Sequence, residues 1–167
     1  MFRTKQILKD KGTSAILAQQ ELNEEVLPDN TPRALLLETV KYKLDRCGPT
    51  TSLLLIDPYI NPTFKAASDY PPYEADLLTV LEPTLRKVST LRIATRPNRN
   101  AASEARLDTA IRAVNASITI NKKNTDAFHD RFWIVDDARG IFLGTSFNGI
   151  GKRYALIGLH PVPKTPS

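Results

Sequence analysis

The chain has 167 residues, 41% of them hydrophobic and 25% charged, with a formal net charge of +5. That is enough chain for one domain with a sizeable core. The composition excludes a collagen-like or largely disordered chain, and the longest apolar run, Leu53-Leu54-Leu55-Ile56, excludes a membrane-spanning helix. A lone cysteine, Cys47, excludes a disulfide framework. Met1-Phe2-Arg3-Thr4-Lys5 leads into charged sequence rather than an apolar leader, so a reducing, cytoplasmic setting is the expectation. The charge is lopsided. Residues 1–83 hold nine Lys/Arg against twelve Asp/Glu, net −3, whereas residues 84–167 hold fourteen against six, net +8. The second half is the part suited to meet a polyanion.

Residues 1–48 read as a helical extension with breaks. Ser14 to Glu25 is rich in helix formers, and Pro28 to Pro32 is a turn. Thr31 caps the next helix with Pro32 at its first position. In that helix Leu35, Leu36, Leu37, Val40 and Leu44 recur at helical spacing, and Leu35, Leu36, Val40 and Leu44 are expected to be buried, covering one face of the sheet. Gly48-Pro49 ends it. Thr51 to Ile56 reads as a buried strand stopped at Asp57-Pro58, and Asn61 to Pro72 as a proline-rich loop. A helix over Tyr73 to Val88, kinked near Pro83, precedes a second strand over Thr90 to Thr95. Arg96 to Asn100 is a basic loop, and a helix over Ala102 to Asn115 has Ser103 as its cap. Further strands are expected at Ser117 to Asn121, Phe128 to Asp136, Ile141 to Ser146 and Tyr154 to Leu159, with a turn containing Gly140 between the fourth and fifth. The domain is thus placed at 49–160, with 161–167 a proline-rich, disordered tail. Alternating strands and helices predict an α/β protein, a mixed sheet flanked by helices.

Several chemistries are missing. There is no G-x-x-x-x-G-K-[ST] phosphate loop, no G-x-G-x-x-G after the first strand, and no G-x-S-x-G elbow, because Asn148 stands where the last glycine belongs. His129 and His160 do not stand at zinc-site spacing with Cys47, so no metal or other cofactor is expected.

The informative stretch is His129-Asp130-Arg131, Asp136, and then Gly144-Thr145-Ser146-Phe147-Asn148. His129 and Arg131 are two residues apart, as are Ser146 and Asn148, so on two paired strands these four side chains can converge at one end of a hairpin. An imidazole, a forked cation, a hydroxyl and a carboxamide together suit a phosphate. Arg96, Arg99, Lys122, Lys123 and Lys152 could track a phosphate backbone beside it. Tyr59 and Asn61, just after a strand end, are weaker candidates, and Trp133 reads as packing, with a dimer seam as the place considered for it.

The pattern H-x-R-x-x-x-x-D followed by G-x-S-x-N resembles the phospholipase D superfamily, whose signature is H-x-K-x-x-x-x-D with a downstream G-S-x-N. The match falls on His129, Arg131, Asp136, Ser146 and Asn148, and the resemblance extends over roughly residues 50–159. It implies a metal-independent phosphodiesterase, of nuclease type given the basic second half. His129 would form a phosphohistidine, Arg131, Ser146 and Asn148 would hold the phosphate oxygens, and Asp136 would be a supporting or structural acid. The family uses two histidines and this chain has one copy of the motif, so the resemblance implies a homodimer with the two motifs meeting at a two-fold axis. Two departures weigh toward an alternative. Arg131 replaces the family's lysine, and residues 149–159 lack the acid that orients the histidine in active small nucleases. The alternative is a catalytically impaired module that binds nucleic acid, phospholipid or a protein partner. It would serve as a regulatory or inhibitory factor of plasmid, phage or defence origin, with residues 1–48 as the natural protein-partner surface.

Overall fold

The computed structural model describes residues 24–28, 30–48, 50–60, 70–97, 100–144 and 155–161. In chain order these form β1 (Glu24–Leu27), α1 (Arg33–Asp45), β2 (Ser52–Ile56), α2 (Tyr70–Leu85), β3 (Thr90–Thr95), α3 (Ala101–Val114), β4 (Thr119–Asn124), β5 (Arg131–Val135), β6 (Arg139–Leu143) and β7 (Ala155–Pro161). The seven strands make one mixed sheet in the order β1-β7-β6-β5-β2-β3-β4. β2, β3 and β4 run parallel, and every other pairing is antiparallel.

Alternation along the strands decides which face is covered. Leu53, Leu55, Leu91, Ile93, Trp133, Val135, Ile141 and Leu143 are buried, while Leu54, Arg92, Phe132, Ile134 and Phe142 between them are only half-buried. The crossovers from β2 to β3 and from β3 to β4 step the same way across the sheet, α2 and α3 pack against each other, and α1 packs beside α2. The core lies between these helices and the sheet. α1 contributes Leu36, Val40 and Leu44, α2 Leu77, Val80, Leu81 and Leu85, and α3 Leu107 and Ile111. Buried Glu74 of α2 accepts from Ser103 Oγ at 2.5 Å and from Arg106 Nη2 at 2.9 Å, tying α2 to α3.

The mixed α/β sheet flanked by helices is as expected, and four elements differ from the sequence reading. Glu24–Leu27 is a strand on β7, not the end of a helix, so the segment before residue 49 supplies part of the same sheet. α1 starts after Pro32 with no side-chain cap, Thr31 notwithstanding, and Leu35 is 57% exposed, as is Tyr42 at 61%, seven residues on along the same face. α2 begins at Tyr70, because prolines at 71 and 72 fall in a first turn whose N–H groups need no partner within the helix. Asn100, not Ser103, caps α3, accepting from the Ser103 N–H at 3.0 Å. The turn between β5 and β6 is also built differently. Ala138 N–H donates to Val135 O at 3.0 Å, and Asp136 and Asp137 have φ of 50° and 51°, a type I′ turn. Gly140 lies beyond it, in β6, where a Cβ would stand 2.8 Å from the Trp133 carbonyl oxygen. The tail expected at 161–167 lies outside the described residues except for Pro161, which closes β7.

Candidate phosphate site at the sheet end

The carboxyl ends of parallel β2 and β3 and the start of antiparallel β5 come together at one end of the sheet, since Ile56 pairs with Phe132 and Ala94 with Ile56. Asp57 and Tyr59 follow β2, Arg96 follows β3, and His129 and Arg131 lead into β5. Open sheets build ligand sites at strand ends of this kind.

Asp57 is the buried foundation, 1% exposed. Its Oδ1 accepts the Tyr59 N–H at 2.9 Å and its Oδ2 the Tyr73 hydroxyl at 3.2 Å. Arg131 Nε lies 3.2 Å from Asp57 Oδ1, an ion pair off the hydrogen-bond axis. Burial pushes the Asp57 carboxyl above its ordinary value, opposed by the Arg131 charge and by the Tyr59 N–H and Tyr73 hydroxyl. Burial, then the facing Asp57 charge, holds the Tyr73 phenol well above its usual range. Arg131 is itself 6% exposed, and its guanidinium lies 4.7 Å from the centroid of the Tyr59 ring. Expected on a phosphate, it is placed as the counter-charge of Asp57.

Arg96 is differently placed. Its guanidinium lies 4.9 Å from the centroid of the same Tyr59 ring, and its Nη2 is 3.0 Å from His129 Nδ1. A guanidinium can only donate, so Nδ1 accepts and the proton of the neutral ring sits on Nε2. His129 is exposed. Among the described residues no carboxylate touches its ring, Asp130 and Glu74 included. The geometry is therefore a hydrogen-bond donor pair, Nε2–H beside a guanidinium, at a solvent-facing edge.

Asp136 is at the other end of β5. Its carboxylate Oδ1 accepts from Thr51 N–H at 2.9 Å and Ser52 N–H at 2.7 Å, tying the start of β2 to the β5–β6 turn. Burial raises its proton affinity, but these N–H donors and the Thr51 and Ser52 hydroxyls outweigh that and hold the carboxyl below its usual value. Five strand residues separate it from His129, so it supports the sheet rather than the site. Of the other candidates, Lys122 is held by Glu104 at 2.8 Å and by Asp108, and Lys123 is exposed on the opposite face of β4. Ser146, Asn148, Arg99, Lys152 and Asn61 lie outside the described residues. β6 ends at Leu143, the register partner of Arg131. Trp133 is fully buried in the core. Among the described residues no group of three or more His, Cys, Asp or Glu could hold a metal ion, and no helix is long and apolar enough to cross a membrane. Sequence reasoning set Arg96 beside the site and Tyr59 among its weaker candidates, but did not bring the two into contact with each other or Arg96 into contact with His129. The only signal available was that both follow strand ends.

No family model matches the sequence, and no curated protein does. Solved structures do. One is Nuc, a phospholipase D family member from Salmonella typhimurium, 17% identical with a TM-score of 0.46, the match covering 84% of this chain and 82% of that one. Another is TrmBL2, an archaeal chromatin protein whose structure shows a novel mode of DNA binding, 13% identical with a TM-score of 0.40. That match covers 93% of this chain and 54% of TrmBL2, so the chain spans about half of that protein. Overlaps this loose say nothing about activity or ligand.

Proposed function

We propose that this chain is a phospholipase D-like phosphodiester-binding protein that grips the backbone of a nucleic acid through Arg96 and His129. One observation carries the reading: the imidazole faces solvent with a guanidinium, not a carboxylate, on Nδ1. An imidazole that attacks phosphorus through Nε2 needs a free lone pair there, which an acceptor on Nδ1 secures by accepting a hydrogen bond from Nδ1–H and so keeping the ring proton on that nitrogen. A donor on Nδ1 has the reverse effect and leaves Nε2–H to hydrogen-bond a phosphate oxygen beside the Arg96 charge. The +8 second half supports a polyanion as the partner. A homodimer belongs to the same proposal. It is supported by the single copy of the motif and by the half-buried apolar stripe of Leu54, Phe132, Ile134 and Phe142 on the sheet face away from the helices.

The spacing of His129 and Arg131 at the start of one strand favours a second reading, the metal-independent nuclease, in which Arg96 swings off Nδ1 when substrate binds. Labelled single- and double-stranded DNA and RNA, incubated in EDTA with wild type and His129→Ala, separate the two. Binding without turnover, weakened at least several-fold in Arg96→Ala with the salt slope reduced by about one, supports recognition. Cleavage lost in His129→Ala establishes the nuclease instead, and absence of binding to every nucleic acid removes both. Sedimentation equilibrium checks the dimer, and a monomer at micromolar concentration sinks it.

A further inference from the structure

We propose that Tyr59 is the positioning residue of this site: it holds the Arg96 guanidinium over its ring and thereby fixes His129 in the tautomer with its proton on Nε2. That this donor then meets a phosphate rests on the reading above; the tautomer itself does not.

Arg96 is a long, rotamer-rich side chain, and among the described residues no carboxylate pairs with it. Something else must keep Nη2 at 3.0 Å from Nδ1. The Tyr59 ring is the surface on which the guanidinium rests, 4.9 Å from the centroid, where the negative face of the ring attracts the cation. The ring is itself fixed from below. The Tyr59 backbone N–H donates to buried Asp57, the next residue, Ile60, is buried at 2% exposure, and the Arg131 guanidinium lies against the same ring. The result is a continuous chain of contacts from the buried Tyr73 hydroxyl through Asp57, Tyr59 and Arg96 to an exposed imidazole. In it the aromatic ring is the side-chain surface between the buried Asp57 and the guanidinium that sets the proton on His129.

The readout is the tautomer, measured by long-range ¹H–¹⁵N correlation of the histidine rings in ¹⁵N-labelled full-length protein at pH 8. Only two histidines are present, and the His129→Ala spectrum assigns them. Wild type is expected to show Nδ1 unprotonated and Nε2 protonated. Tyr59→Phe keeps the ring and should keep that pattern. Tyr59→Leu keeps bulk but not the aromatic face and should give a tautomer mixture, with nucleic-acid affinity down about 3–10-fold and recovered in Tyr59→Phe. Arg96→Lys, which leaves the foundation of the site intact and serves if Tyr59→Leu does not fold, should also give a mixture, since an ammonium does not lie flat on a ring. Protonated Nδ1 in wild type, or an unchanged pattern in Tyr59→Leu or in Arg96→Lys, overturns the proposal. Failure of wild type to bind any nucleic acid, with the tautomer pattern as expected, overturns the proposed function and leaves this assignment standing.

Discussion

Asp57 and Asp136 both lie at ends of β2 and β5, yet their surroundings push their proton affinities in opposite directions. Asp136 is held below its ordinary pKa by N–H donors, so it favours the folded state above the unfolded carboxylate value of about 3.9 and loses that contribution as the pH falls through its lower folded value. Asp136→Asn is therefore expected to cost about 1 kcal/mol at pH 7 and to flatten the acid-side loss of stability between pH 5 and 3, as read by urea unfolding. Nucleic-acid binding should not change, which separates this residue from the site. Asp57 is raised by burial and rescued by Arg131. Arg131→Met strands a buried charge, with a cost of about 3–5 kcal/mol at neutral pH. With the folded pKa raised further, that variant gains stability as the medium is acidified and loses it as pH rises through the folded value. Urea midpoints at pH 5 and pH 8 should show a smaller deficit at the lower pH. Adding Asp57→Asn should recover most of the loss, and no recovery would mean that Arg131 acts through packing alone.

The β5–β6 hairpin makes an element-scale prediction, because Gly140 is where the strands come too close for a side chain. In Gly140→Ala the new methyl meets the Trp133 carbonyl oxygen at 2.8 Å and Ile134 Cγ1 at 3.1 Å. Backbone cannot step aside in the middle of a sheet, so destabilisation of about 1–3 kcal/mol with a shifted Trp133 emission is expected. A stability within error of wild type would mean that the strands have room to part. The elements also show what was legible beforehand. β2, β3 and α3 were readable because one buried face imposes a period of two or of 3.6 on the apolar residues. β1 was not, since Glu-Glu-Val-Leu has no such period and becomes a strand only by pairing with β7, some 130 residues later. The same limit applies to the site. His129 and Arg131 stand out by spacing, whereas the contact from Arg96 to His129 spans 33 residues and exists only because β3 and β5 flank β2. The turn was misplaced for a local reason: glycine suggested it at 140, but two aspartates adopt the left-handed backbone instead.

At the scale of the whole molecule, the cations of the second half are not equally available. Arg92 meets Asp137, Arg106 meets Glu74, and Lys122 meets Glu104 and Asp108. Formal charge therefore does not say which cations a polyanion can use, and the two adjacent lysines of β4 should differ. Lys123→Gln is expected to lower the slope of log K against log salt by about one, and Lys122→Gln by much less. Equal slopes for the two variants would mean that nucleic acid displaces the acidic partners of Lys122.

The position of β2 at the centre of the sheet has a consequence for how the protein comes into being. β2 is made early and finds β3 about forty residues later, but its other neighbour, β5, arrives only after some eighty residues. A pairing that distant in the chain closes slowly. On the ribosome, then, Asp57 and Tyr59 stand without Arg131 and His129 until some seventy further residues have been added.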